Sequence, residues 1–316
     1  MSAGPDLEVI RAAHARIAPY VHRTPVLTCA SLDERAGARL YFKCENLQKT
    51  GSFKIRGATN AVFSLTPEEA ARGVVTHSSG NHAAALALAA RLRGIPAWIV
   101  IPSNAPGIKR EAVESYGGRV TECEPTLASR EATAREIQQR TGATLIHPYN
   151  DLRVIAGQAT AAFEFLEDMP HLDVILAPVS GGGLLSGTAI AAKGLRPAIR
   201  VIGAEPRNAD DAYRSLASGH LAPAAKAETI ADGLRATLCE LTLQILRERV
   251  DEIVLVSEKE IIAAMRFVWE RMKLVIEPSA AVPIAPALDR RIRAEGGKVG
   301  IILSGGNVDL ARLPFS

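Results

Sequence analysis

The sequence is poor in aromatic residues, in cysteine and in long apolar runs. Phe, Trp and Tyr make up 4% of the 316 residues, and the four cysteines lie far apart, without a Cys-x-x-Cys pair: Cys29, Cys44, Cys123 and Cys239. That spacing excludes a zinc site of the usual kind and predicts reduced thiols. No apolar run approaches the ~20 residues of a membrane span, and the first residues lack the apolar core of a signal peptide. We therefore expect a cytoplasmic protein.

An excess of charge of one sign is also absent. The chain has 37 basic and 34 acidic residues, and no basic run is interleaved with aromatic side chains. This balance argues against a nucleic-acid or membrane partner and is compatible with a small-molecule substrate. The hydrophobic content of 47% supports sizeable cores, and the length favours two domains.

Strand and helix patterns alternate along the chain. One series runs through residues 73–140, and a second runs from a helix at 152–167 to a helix at 209–216. Helices at 258–272 and 279–293 and a strand at 298–303 follow, whereas residues 218–242 show no clear pattern. Alternation of this kind predicts two parallel sheets, each covered by helices on both faces. The loops at the carboxyl ends of the strands are then the expected ligand sites.

Lys54 occupies an unusual position at the start of a predicted helix. Ser52 is a favourable N-cap, so the helix is expected over residues 53–65 with the lysine in its first turn. The positive end of the helix dipole disfavours a charged amine there and should lower the pKa of Lys54. A neutral amine is a nucleophile, although an ordinary solvated surface lysine is the simpler alternative.

A glycine-rich loop follows the predicted strand at residues 173–178. It brings several backbone N–H groups to a helix start, which is a site for an anion such as phosphate. A turn that is merely tightly packed is the alternative. Gly181 and Gly183 match the first two positions of a dinucleotide motif, but the third falls on Ser186; Glu205 lies where the ribose-binding acid would be. A nicotinamide dehydrogenase therefore stays open at this point.

Two other strand ends carry hydroxyl groups. Residues 78–82 (Ser-Ser-Gly-Asn-His) suit a carboxylate, although such residues are also common helix caps. Ser304 ends the last strand. A lysine with a lowered pKa, a phosphate-binding loop and hydroxyl-rich strand ends together indicate a site for pyridoxal 5'-phosphate, where a neutral lysine forms a Schiff base.

Five separated motifs carry a family resemblance: residues 52–58 (SFKIRGA), 78–82 (SSGNH), 181–187 (GGGLLSG), 228–233 (ETIADG) and 304–307 (SGGN). They resemble fold-type II pyridoxal phosphate enzymes, in particular threonine/serine dehydratase and serine racemase. The resemblance implies an α/β fold of the tryptophan synthase β type, with two three-layer domains, each built on a parallel sheet, and the cofactor in the cleft between them. It places residues 1–70 and 149–316 in a large cofactor-binding domain and 71–148 in a small substrate-loop domain, and it implies a homodimer.

The resemblance also assigns roles to residues. Lys54 would hold the cofactor covalently and take the substrate's α-proton, and Ser79 corresponds to the residue that delivers a proton from the opposite face in racemases. Cofactor binding would involve Phe53, Lys54, Asn81, Gly181, Gly182, Gly183, Leu184 and Ser304. Substrate binding would involve Ser78, Ser79, Asn81, His82 and Arg130.

Two further features follow from the same resemblance. Ser304 would face the pyridine nitrogen, and because a hydroxyl cannot hold a pyridinium as a carboxylate would, expulsion of a β-hydroxyl is favoured. Glu205, Asp211 and the carbonyl of Ala209 resemble a divalent-cation loop, and such oxygen ligands suit Mg²⁺ or Ca²⁺. An acidic helix start is the alternative for these carboxylates.

The expected reaction is dehydration and deamination of a small β-hydroxy-α-amino acid, such as L-threonine or L-serine, to a 2-oxo acid and ammonia. Serine racemase and 3-hydroxyaspartate dehydratase are alternatives within the same fold. A non-catalytic binding protein is a further alternative. Two positions depart from the pattern: Ser180 replaces the first glycine of the phosphate loop, and Ala236 replaces a serine that serine racemases use near the substrate.

Overall fold

The computed structural model describes residues 4–78, 80–105, 107–223, 227–294 and 296–315. The strands of these residues, β1 to β10, are Val26–Leu27, Arg39–Cys44, Val74–His77, Ala97–Pro102, Arg119–Cys123, Thr144–Leu145, Val174–Pro178, Arg200–Pro206, Glu252–Val256 and Lys298–Leu303. The helices, α1 to α14, are Leu7–Ile17, Ala30–Ala36, Lys54–Phe63, Pro67–Arg72, Asn81–Arg93, Gly107–Ser115, Leu127–Thr141, Leu152–Asp168, Gly183–Leu195, Asp211–Ser218, Glu240–Arg249, Glu258–Met272, Pro278–Ala281 and Ala285–Leu288. Short 3₁₀ helices are Glu45–Leu47, Lys49–Gly51, Arg207–Ala209, Asp232–Leu234 and Leu310–Arg312.

The strands form two sheets. A six-stranded sheet has the order β1-β2-β10-β7-β8-β9, and a four-stranded sheet has the order β5-β4-β3-β6. Every pairing is parallel except β1 with β2, so the predicted parallel sheets are confirmed. Strand β1 was not expected because two residues are too short for a periodic pattern. The division into domains at residues 70 and 148 stays a prediction.

Both sheets are covered on their two faces. In β7, Leu176 packs into a core with α12 to α14, whereas its neighbour Ile175 packs into a second core with α8 and α9. In β3, Val74 faces α5 and Val75 faces α7. Successive residues of a strand point to opposite faces, so these alternating contacts define three layers in each half of the molecule.

The structure corrects the predicted helix over residues 279–293. That segment contains two one-turn helices, α13 and α14, separated by a turn that includes Pro283. Pro286 lies in the first turn of α14, where its missing N–H is tolerated. A proline inside a longer helix would leave a carbonyl without a donor, and therefore the helix breaks.

Two helices were missed. Helix α4 begins with a reciprocal capping box between Thr66 and Glu69 and has Pro67 at its first position, which is a recognisable start signal. Helix α11 begins at the end of the segment that showed no clear pattern, extends beyond it to Arg249 and packs against α9. Among the described helices, none combines the length and the apolar composition required to cross a membrane.

Candidate active site

The candidate site lies beyond the carboxyl ends of the parallel strands. In the six-stranded sheet, β2, β10, β7 and β8 are adjacent and parallel, so their last residues meet at one edge. The loops that follow them contain Lys54, Ser304, the glycine-rich loop and the predicted cation loop. The loop after β3, in the other sheet, contributes Asn81.

Backbone pairing joins the lysine loop to the serine loop. The N–H of Phe53 donates to the carbonyl of Ser304 at 3.0 Å, and Ser52 forms an isolated antiparallel bridge with Gly305. The expected N-cap at Ser52 is wrong: this residue is extended, and the cap position is Phe53, without a side-chain cap. Pairing with the distant loop takes the place of capping and brings Lys54 next to Ser304.

The amine of Lys54 is placed in a desolvated environment. Its Nζ donates to the carbonyl of Pro148 at 3.1 Å and lies 5.2 Å from the centre of the Phe53 ring. Burial lowers the pKa of Lys54 to about 8, and the nearby Glu277 opposes this effect. The predicted direction of the shift is confirmed, but its main cause is loss of solvent rather than the helix dipole.

Glu277 is a site residue that the sequence reasoning missed. It is only 4% exposed, and both of its carboxylate oxygens lie 3.1 Å from Asn81 Nδ2, which donates to them. The carboxylate also accepts the N–H of Asn307 at 3.2 Å. Burial raises the pKa of Glu277 to about 7. A glutamate between Ile276 and an apolar segment could have been recognised as a buried acid.

Asn81 is held by residues from the other half of the molecule. Besides the contacts of Asn81 with Glu277, the Oδ1 of Asn81 accepts from Asn307 Nδ2 at 2.9 Å. Asn307 Nδ2 also donates to the carbonyl of Thr50 at 2.8 Å. These bonds join α5 of the four-stranded sheet to loops of the six-stranded sheet. Asn81, Lys54 and Ser304 therefore belong to one constellation.

The glycine-rich loop forms the start of α9. Gly182 has a positive φ of 89° at the cap, and the first N–H groups of the helix have no acceptor within it. A Cβ on Gly181 would lie 2.4 Å from the Tyr149 ring, and one on Gly182 would lie 2.7 Å from Thr242 Cβ. The glycines thus let the loop pack tightly from behind while its N–H groups remain available to an anion.

The residues fit pyridoxal phosphate on independent grounds. The hydroxyl of Ser304, which is 1% exposed, has no hydrogen-bond partner, so it can pair with a ring nitrogen. The loop from Gly181 to Leu184 offers donors for a phosphate, and the lowered pKa of Lys54 increases the fraction of neutral amine. Leu184 itself is buried against the core below the loop.

The predicted substrate residues surround this constellation only in part. His82 is buried with Nε2 3.1 Å from the carbonyl of Ile146, and burial lowers its pKa to about 3, so the ring is neutral. Arg130 has a buried Nε without a partner, which suits an anion. Ser78 Oγ accepts from the N–H of Gly80 at 3.4 Å. Ser79 lies outside the described residues.

The predicted cation loop contains two buried carboxylates. Glu205 accepts the N–H groups of Ala212 and Tyr213 at 2.9 and 2.8 Å, and Asp211 accepts the N–H of Leu238 at 3.2 Å. Burial raises the pKa of Glu205 to about 8 and that of Asp211 to about 6.

A cation would stabilise both charged carboxylates, so the oxygen donors fit Mg²⁺ or Ca²⁺. The carboxylate of Glu205 also accepts N–H groups in the first turn of α10. This contact agrees with the alternative interpretation, in which the carboxylates stabilise a helix start. In the part of the chain that the structure describes, no cluster of three or more His, Cys, Asp or Glu is arranged to hold a metal.

Comparison with known proteins identifies a family and several relatives of this chain. Residues 17–305 match the family model described as pyridoxal-phosphate dependent enzyme. A serine racemase of Arabidopsis thaliana is 53% identical over 98% of this chain and 95% of its own length. The beta-hydroxyaspartate dehydratase of Paracoccus denitrificans is 50% identical over 99% of both chains.

A solved structure of maize serine racemase matches the fold closely. It superimposes with a TM-score of 0.96 at 51% identity, over 98% of this chain and 95% of the maize chain. The family model leaves the dinucleotide alternative for the glycine-rich loop without support. The chain therefore belongs to the pyridoxal-phosphate dependent enzymes of fold type II.

Proposed function

We propose that the protein eliminates water from a small β-hydroxy-α-amino acid, with L-serine, L-threonine and 3-hydroxyaspartate as the candidate substrates. The substrate loses its α-proton and its β-hydroxyl group as water, and the resulting enamine is hydrolysed to a 2-oxo acid and ammonia. Pyridoxal phosphate, when bound, withdraws electrons from the bonds at the substrate's Cα.

Lys54 supplies the base in this proposal. Its Nζ has a pKa of about 8 because of burial, so a useful fraction is neutral near pH 7 and can accept the α-proton. Asn81, bound by Glu277 and Asn307, presents a fixed amide at the same point. The unpartnered Nε of Arg130 is available to the substrate's carboxylate.

The hydroxyl of Ser304 is the observation that carries the choice of elimination. It is buried, has no partner and stands next to the lysine loop, where a ring nitrogen would be held by a neutral group instead of a carboxylate. A neutral partner stabilises a carbanion less than an ionised one does. This favours prompt departure of the β-hydroxyl over reactions that need a long-lived carbanion.

Serine racemisation is the second candidate, because relatives named serine racemase are as similar to this chain as the dehydratase is. Racemisation needs an acid on the face opposite Lys54, for which Ser79 is the candidate. Ala236 lacks the hydroxyl of the serine that the resemblance places near the substrate.

The deciding experiment measures both products in one incubation. Purified enzyme is given L-serine, L-threonine or 3-hydroxyaspartate, and ammonia, 2-oxo acid and the D-amino acid are quantified. We expect ammonia and 2-oxo acid in equal amounts, with Lys54→Ala inactive and without the near-visible absorption of the bound cofactor. Predominant D-serine would replace the first proposal with the second, and normal activity of Lys54→Ala would overturn both.

Two accompanying proposals concern the cation and the assembly. Glu205, Asp211 and the carbonyl of Ala209 would bind Mg²⁺ or Ca²⁺, as their buried oxygens suggest. A homodimer is supported by two exposed apolar side chains, Leu47 and Val275, which are 46% and 48% exposed; Asn46, next to Leu47, donates to the carbonyl of Val275 at 3.1 Å. Sedimentation equilibrium would test the dimer, and a monomeric mass would contradict it.

A further inference from the structure

The two positions that depart from the family pattern, Ser180 and Ala236, contact each other. Ser180 Oγ donates to the carbonyl of Ala236 at 3.0 Å and accepts the N–H of Ala236 at 3.0 Å. A single hydroxyl thus binds both backbone groups of a residue 56 positions away. A glycine at position 180 could make neither bond.

One side of this contact is the glycine-rich loop. Ser180 directly precedes Gly181 and follows the end of β7. Its orientation is therefore coupled to the backbone of Gly181 and Gly182, which presents N–H groups to the cofactor phosphate. Gly182 has a positive φ and is closely packed, since a Cβ there would lie 2.7 Å from Thr242 Cβ.

The other side of the contact reaches the predicted cation loop. Two residues after Ala236, the side chain of Leu238 lies 2.9 Å from the position of a Cβ on Gly182. The N–H of Leu238 donates to Asp211 Oδ2 at 3.2 Å. Residues 236–238 therefore contact the glycine-rich loop at two points and a cation-loop carboxylate at a third.

We propose that Ser180 is a positioning residue that couples cation binding at Glu205 and Asp211 to cofactor binding at the glycine-rich loop. The inference rests on the proposed function, since it requires that both groups bind where stated. A cation that draws in the Asp211 carboxylate also sets the position of the Leu238 N–H. Residues 236–238 transmit that position to Ser180 and hence to the phosphate-binding N–H groups.

The test measures cofactor affinity with and without the cation. Holoenzyme is dialysed to equilibrium against a series of pyridoxal phosphate concentrations, in Mg²⁺ or in chelator, and bound cofactor is read from its absorbance. In the parent protein we expect Mg²⁺ to lower the Kd for pyridoxal phosphate by about 5-fold or more. In Ser180→Ala the two Kd values should agree within about 2-fold.

Matched variants separate the hydroxyl's role from general damage. Ser218 makes the same reciprocal pair at the exposed end of α10, donating to the carbonyl of His220 at 3.1 Å and accepting its N–H at 3.4 Å. Ser218→Ala should keep the parent ratio, and so should Ser180→Thr, which retains the hydroxyl. If Ser180→Ala does not fold, Ser180→Cys takes its place, because cysteine has a similar size and is a weak donor. We expect this variant to show a smaller ratio of the Kd in chelator to the Kd in Mg²⁺ than the parent protein does.

Thermal unfolding with and without Mg²⁺ shows separately whether the cation binds. If Mg²⁺ stabilises Ser180→Ala and the variant still shows the parent ratio of Kd values, the coupling does not pass through Ser180 and the inference is wrong. A parent protein that is stabilised by Mg²⁺ without any change in cofactor affinity overturns the inference but leaves the cation site standing. No stabilisation of the parent by Mg²⁺ removes the cation site and the inference with it.

Discussion

The amine of Lys54 is subject to two opposing influences, burial and the carboxylate of Glu277, and burial is the larger. With the cofactor removed, the rate at which Lys54 reacts with added pyridoxal phosphate should increase with pH. We expect the midpoint of this increase near pH 8. Below that pH the amine is protonated and cannot attack an aldehyde, and above it the amine is neutral. Absorbance at the wavelength of the lysine-bound cofactor follows the reaction.

Glu277→Gln provides the control for this pH dependence. The substitution keeps the shape of the side chain but removes the charge that raises the pKa of Lys54, so the midpoint should move to lower pH. Asn81 retains an oxygen acceptor at the same position. A midpoint near 10.5 in the parent, the ordinary pKa of lysine, would show that burial does not act on this amine.

At the scale of elements, a buried network of charges holds the start of α3. Arg56, two residues after Lys54, donates to Glu45 at the end of β2 and to Glu164 of α8, each at 2.8 Å. Lys43 of β2 also donates to Glu164 at 2.8 Å. Two cations and two carboxylates balance one another, which keeps each charge compensated where the side chains are buried.

Removing one member of this network should destabilise the protein strongly. Glu164→Ala leaves two buried cations, Arg56 and Lys43, with a single carboxylate, that of Glu45. We therefore expect the free energy of unfolding to fall by about 3–5 kcal/mol in urea titrations. The control is Glu167→Ala on the same helix, which removes an exposed pair with Arg23 and should cost about 1 kcal/mol or less. Equal losses in the two variants would contradict the proposed role of the network.

At the scale of the whole molecule, side chains bridge the two sheets beside the candidate site. Lys109 of α6 donates to Asp232 at 2.5 Å, and Asn81 of α5 donates to Glu277 at 3.1 Å. In each pair, one residue belongs to an element of the four-stranded sheet and the other to a loop of the six-stranded sheet. The relative position of the sheets therefore sets the shape of the site.

Cation removal should affect the stability of the whole protein. If Mg²⁺ at about 100 times its Kd occupies the Glu205 and Asp211 site, the melting temperature should fall by about 5 °C on chelation. Asp211→Asn keeps the side-chain shape but lowers the negative charge, so its melting temperature should respond much less to chelator. A parent protein with an unchanged melting temperature in chelator would contradict a bound cation.

How far the sequence could predict the molecule depends on the range of the interactions. Helix α12 and strand β10 have the predicted limits, because their patterns and capping residues are local. The predicted helix over residues 279–293 is wrong because Pro283 and Pro286 divide that segment into two short helices. The N-cap at Ser52 could not be corrected locally, since Gly305 determines its conformation.

The sequence by itself determined the class of fold, because alternating patterns require covered parallel sheets. It also predicted the parts of the candidate site: a lysine, a glycine-rich loop and a serine at a strand end. Only the tertiary structure decided how these parts combine. Pairing of residues 52–53 with 304–305 sets Lys54 beside Ser304, and burial in that setting lowers the lysine's pKa. Such contacts join residues some 250 positions apart, so no local pattern encodes them.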